Sequence, residues 1–142
     1  MAPCSVKHGG IGYCFECPEY PCKRYDGIDQ RDSLISHRNQ LRDMDKARCM
    51  GIEAYRDEQR AKAALLRRLL DGFDDDTRDV FLCLAANMLE VGDLEVAVEQ
   101  ADATAKGMDA RARADHAEGI LRRIAAERNV PLELRTWSGP WN

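Results

Sequence analysis

Four cysteines fall in the first 22 residues of this 142-residue chain: Cys4, Cys14, Cys17 and Cys22. Nine residues separate Cys4 from Cys14, two separate Cys14 from Cys17 and four separate Cys17 from Cys22. Thiolates are soft ligands, and a C-x2-C step lets one tight turn bring two of them onto a single cation. Tetrahedral zinc takes four ligands at about 2.0–2.3 Å. Cys4 and Cys22 then complete the set, carried in on flexible glycine-bearing segments. Four thiolates are tolerable together only with the metal present, so the spacing predicts a site that is itself a folding determinant. Zn2+ is the expected ion. The same soft donors also suit an iron–sulfur cluster, which is the alternative.

Other candidate ligands are weaker. His8, four residues beyond Cys4, is a substitute ligand at most. His37 and His116 have no cysteine or carboxylate at metal spacing and read as surface histidines. Cys49 closes a helix and could be half-exposed. Cys83 lies in an apolar run and is expected to be a small core residue. Asp74-Asp75-Asp76 is too compact for a calcium loop, whose ligands spread over about twelve residues, and is expected to cap a helix. Asn87 interrupts an apolar helix and must find a partner, in a neighbouring loop or lining a pocket. There is no nucleophile–base spacing, no glycine-rich phosphate loop and no H-E-x-x-H. A zinc ion held by four cysteines has no open position to activate water. The expectation is a non-enzymatic protein.

These residues need a scaffold, and most of the chain supplies helices. Residues 1–28 hold three of the five prolines and four of the ten glycines, so they cannot form one continuous helix. They also lack the aliphatic side chains for a core. From residue 29 the periodicity is helical. A first helix is expected over 32–50, capped by Asp32 or Ser33 and ended by Gly51. A second is expected over 52–70, with Leu65, Leu66, Leu69, Leu70 and Phe73 on one stripe and Asp71-Gly72 as its break. The third, 77–89, is apolar nearly all round and is expected to be central. A fourth, 94–104, turns Leu94, Val98 and Ala101 inward. A fifth, 110–128, starts at Asp109 and turns Ala117, Ile120, Leu121 and Ile124 inward. The tail carries Trp137 and Trp141, packed on the body or exposed as an interface.

Composition sets the limits on function. Aromatics make up only 6% of the chain and β-branched residues are sparse, which argues against a sheet. Residues 1–70 carry 13 Lys/Arg against 10 Asp/Glu, net +3; residues 71–142 carry 8 against 15, net −7. Neither half has the dense basic stripe that phosphate binding needs. Nucleic acid is therefore not the expected partner, although Lys7, Lys23, Arg24, Tyr20 and Tyr25 leave a zinc knuckle as a third possibility. The start has no basic, then apolar, leader, and no run approaches the roughly 20 apolar residues of a membrane span. A cytoplasmic location is expected, where cysteines are ligands or free thiols rather than disulfides.

The segment Cys14-Phe-Glu-Cys-Pro-Glu-Tyr-Pro-Cys22 resembles an uncharacterised prokaryotic family of small cysteine-rich proteins, catalogued as a domain of unknown function. Its signature is a Cys, eight or nine residues, C-x2-C, an acidic residue, an aromatic, Pro and Cys. Cys4, Cys14, Cys17, Glu19, Tyr20, Pro21 and Cys22 match it. Residues 50–55 with Glu58-Gln59 are similar to that family's helical extension, and residues 81–89 to a segment of its longer members. Many members carry a further cysteine cluster ahead of this one, and this chain does not. The resemblance implies metal binding and no assigned activity. Cys17-Pro18 is also similar to the Cys-Pro of bacterial ferredoxins, but those set three cysteines at two-residue intervals.

The sequence therefore predicts an all-α protein of about five helices. A metal-bound knob, residues 1–28, precedes a helical body, residues 29–142. The knob is expected to structure a surface for a protein partner, with Tyr13, Phe15, Tyr20 and Tyr25 as contact residues or as its cover.

Overall fold

The computed structural model describes residues 4–135. Helices and turns make up the ordered elements, and no strand occurs among the described residues. A single turn, α1 (Cys4–Lys7), is followed by two short 3-10 turns, Cys14–Glu16 and Lys23–Tyr25. Five longer helices form the body: α2 (Gln40–Met50), α3 (Ile52–Phe73), α4 (Asp79–Met88), α5 (Val91–Thr104) and α6 (Ala110–Glu127). The all-α expectation holds. None of the helices among the described residues is long and apolar enough to cross a membrane.

The body closes around α3. Its 22 residues pack against α2, α4, α5 and α6. Lys62, Leu65, Leu69 and Phe73 are its buried residues, spaced three, four and four apart, which is one face of a 3.6-residue helix. Leu82, Leu84, Ala85, Ala86 and Met88 of α4 meet this face, with Leu94, Ala97, Val98 and Ala101 of α5 and Ala117, Ile120, Leu121 and Ile124 of α6. Leu132, beyond α6, closes the end of the same core.

Start and stop signals act largely as expected. Gly51 stands at φ 89°, where a side chain would be strained, and separates α2 from α3. Asp109 caps α6, its carboxylate accepting from the Ala112 N–H at 2.8 Å. Asp74 accepts from the Arg78 N–H at 3.0 Å and Asp75 from the Thr77 hydroxyl at 2.6 Å. These bonds fold the loop between α3 and α4.

Five expectations need correction. The first helix starts at Gln40, not Asp32. Asp32 is engaged elsewhere: Oδ1 accepts from Ser36 Oγ at 3.0 Å and the His37 N–H at 2.9 Å, and Oδ2 from the Arg135 N–H at 2.8 Å. Short polar side chains that bond nearby backbone compete with helix, and here they win. Asn39 then ties the start of α2 to the end of α4, donating to the carbonyls of Asn87 and Met88. Second, α3 runs through Asp71-Gly72 to Phe73, because burying the Phe73 ring (2% exposed) outweighs the local cost of a helical glycine. Third, α5 begins at Val91, so Gly92 and Asp93 lie in its first turn rather than before it. Fourth, α4 is not covered all round: Val80 is 60% exposed and Cys83 is exposed. Its one open face carries Cys83 out of the core, and the helix that touches every other long helix is α3. Fifth, Asp74-Asp75-Asp76 does not cap the next helix: the N-cap of α4 is Arg78, without a side-chain cap bond. Trp137 and Trp141 lie outside the described residues.

Two outcomes follow. Leu69 is fully buried, so Leu69→Ala should cost about 2–5 kcal/mol of stability, read as a lower urea midpoint at unchanged slope. For Asp32, burial opposes the charge, but the N–H groups of Arg135 and His37, the Ser36 hydroxyl and nearby Arg38 hold the pKa below its ordinary 3.8. A depressed carboxylate stabilises above its unfolded pKa and loses that contribution as pH falls through the folded one. The stability gap between the parent chain and Asp32→Asn should be full at neutral pH and shrink below pH 3.8. A gap independent of pH would contradict this.

Candidate metal centre

The knob is assembled by local turns. The 3-10 turn Cys14–Glu16 closes with the Cys17 N–H donating to the Cys14 carbonyl at 3.0 Å. Glu16 stiffens its entry, one carboxylate oxygen accepting from the N–H groups of Gly12 and Tyr13 at 2.9 and 3.0 Å. The second turn brings the Tyr25 N–H to the Cys22 carbonyl at 2.9 Å. At the start, α1 sets Cys4 and His8 one helical turn apart.

These turns place Cys4, Cys14, Cys17 and Cys22 around one hollow of about 290 Å³, which His8 and Glu19 also line. All four thiols are free. They surround the hollow without converging: among the described residues, no three His, Cys, Asp or Glu side chains stand close enough together to hold a metal ion. Tyr25 lies against this set. Burial, then the neighbouring Cys14 and Cys22 thiols, raise its hydroxyl well above the ordinary tyrosine value.

No residue between 4 and 28 is buried, so the knob leans on the body through aromatic and polar contacts. Tyr20 reaches the Leu41 carbonyl and the Asp45 carboxylate of α2, both at 3.4 Å, and Arg48 stands over its ring. Tyr13 stacks on Phe15 at 5.3 Å and accepts from Arg56 of α3. Tyr25 meets Tyr20 edge to face at 5.7 Å. All four aromatics are thus engaged in covering or docking the knob.

Tyr13 and Gln40 also form part of a second hollow, about 400 Å³, between knob and body. Phe15, Ile35, Asp43, Tyr55 and Asn87 line it as well. Asn87 lines this hollow, one of the two roles expected for it, and its backbone carbonyl accepts from Asn39. Its side-chain oxygen is buried without a donor among the described residues.

Sequence reasoning missed the charged cluster beside this hollow. Lys46 of α2 donates to Glu58 of α3 at 2.5 Å and to Glu90 at 2.6 Å, and Arg42 pairs with Glu90 at 3.1 Å. Burial works against the charge of Lys46, but its bonds to the two carboxylates hold its pKa above the ordinary value. The same Lys46 bond holds Glu90 below the ordinary carboxylate value against burial. Burial lowers the pKa of Lys62, whose side chain belongs to the inner face of α3, and raises that of Asp43. Spacing could have flagged Lys62, three residues before Leu65 on the apolar stripe. The pairing of Lys46 with Glu90, 44 residues apart, has no local signature.

The remaining candidates stay apart from the thiol hollow. His37 bonds Ser33 Oγ at 2.9 Å, His116 bonds Thr104, and Cys49 is exposed. Partial burial, with Asp79 and Asp74 nearby, raises the Cys83 thiol pKa, which disfavours the nucleophilic thiolate. What the geometry defines is a class: an all-helical body carrying an N-terminal loop with four free thiols around one hollow. Set against known proteins, the chain finds no match among family models, curated proteins or solved structures.

Proposed function

We propose that this chain is a non-enzymatic zinc-binding protein, in which Cys4, Cys14, Cys17 and Cys22 hold one ion and the ion fixes the N-terminal knob as a surface for a protein partner. One observation carries the reading. Residues 4–28 contain no buried side chain, yet their turns set four free thiols around one hollow. A segment without a core needs a cross-link to hold one conformation. Thiolates are the donors zinc prefers for structural sites, and the bound ion supplies that link. The similarity of residues 14–22 to a cysteine signature taken to bind metal supports the same reading.

Exposed apolar side chains support a protein partner. Val6 on the knob is 61% exposed, and Leu34, in the loop leading to α2, is 94% exposed. The net charge of −4 supports neither nucleic acid nor an anionic membrane surface as partner.

Elemental analysis of protein purified without oxygen tests the reading, with an absorption spectrum on the same sample. One zinc per chain and no visible band is the expected result. Cys17→Ser should lose the ion while the helical circular dichroism of the body stays. Unchanged zinc in that variant would sink the ligand assignment, and iron with sulfide would replace the reading with an electron-transfer protein.

A further inference from the structure

Beside the four thiols, the thiol hollow is lined by one imidazole, that of His8. The His8 N–H donates to the Cys4 carbonyl at 3.2 Å, the i to i+4 bond of one helical turn. Residues four apart share a helix face, and both Cys4 and His8 line the hollow. His8 is half-buried, and its Nδ1 lies 3.9 Å from Glu19 Oε1. A histidine that binds metal through one ring nitrogen commonly gives its other N–H to a carboxylate, which fixes the tautomer and the ring. Glu19 is beyond hydrogen-bond reach at this separation but stands on the Nδ1 side of the ring, which leaves Nε2 for an ion. Tetrahedral zinc uses four donors, so with four thiolates bound the imidazole is in reserve.

We propose that His8 is that reserve ligand, specific to the Cys4 position: when the Cys4 thiolate leaves the ion, the His8 imidazole replaces it and the metal stays. This rests on the zinc reading above. The specificity comes from the shared turn. Exchanging Cys4 for His8 moves the contact along one helix face and asks nothing of the Cys14–Glu16 turn or of Cys22. No other histidine lines the hollow among the described residues, so Cys14, Cys17 and Cys22 have no equivalent substitute beside them. The exchange also removes one negative charge from the centre, since a neutral imidazole replaces a thiolate. Cys4 thereby becomes the one ligand thiol that can be freed for reaction without unloading the knob.

Cobalt(II) binding reports the donor set, because each nitrogen that replaces a sulfur weakens the thiolate charge-transfer band and moves the visible bands to shorter wavelength. The full-length chain and His8→Ala should both bind one cobalt with a four-sulfur spectrum. Cys4→Ser should bind one cobalt with a three-sulfur, one-nitrogen spectrum. Cys4→Ser combined with His8→Ala should bind more weakly than Cys4→Ser alone, by more than the roughly 10–100-fold that losing an outer-shell partner costs. Circular dichroism of each variant checks that the body remains folded. If Cys4→Ser binds no better than the double variant, or binds without the nitrogen shift, the reserve role is overturned and the four-cysteine site stands. If the parent chain binds no cobalt, the metal reading falls and this proposal with it.

Discussion

The inner face of α3 is the surface on which everything else closes. Leu65, Leu69 and Phe73 project from one side of a 22-residue helix, and α4, α5 and α6 bury them from three directions. Burial of this kind is non-directional and strong, about 25 cal/mol per Å² of apolar surface, so the body can hold itself together. Residues 4–28 stand in contrast. They bury no side chain, and their ties to α2 and α3 are a few hydroxyl, guanidinium and ring contacts. Contacts of that type at a half-exposed surface contribute little each. The molecule thus has two tiers: a packed body, and a thiol-lined segment, residues 4–28, without a buried side chain.

The loop before α2 and α2 itself are tied to the rest of the body by polar links. Asp32 draws Ser36, His37 and Arg135 together, pinning the segment after α6 to the loop before α2. Lys46 does the same for α2, α3 and Glu90 at the start of α5. Both are long-range links made by one charged side chain with several partners. They hold α2, whose only buried residue is Ala47, against a body it could not join by apolar packing alone.

How far this was legible in the sequence follows from the range of each interaction. The stripe Leu65, Leu69, Phe73 and the inward residues of α6 show in the 3.6-residue period. Asp109 shows as a cap because a cap acts within four residues. Asp32 looked like a cap for the same reason, but its partner Arg135 lies 103 residues away, beyond any local pattern. Cys83 was misplaced because an apolar run cannot say which of its faces the neighbouring helices leave open. At the candidate site, spacing alone singled out Cys4, Cys14, Cys17 and Cys22, and the fold sets all four around one hollow. The second hollow, with Tyr13 and Asn87 in its wall, joins residues from four separate stretches of chain, and Asn87 alone hinted at it in the sequence.

Amide hydrogen exchange before and after metal removal tests the two-tier account most directly. Zinc-loaded protein should protect the turn amides at Cys17 and Tyr25. Removing the ion with a chelator should abolish that protection and leave α3, α4, α5 and α6 exchanging as before. Equal exchange at Cys17 and Tyr25 in both states would contradict a metal-held knob. Loss of protection throughout α3–α6 would contradict a body that stands on its own packing.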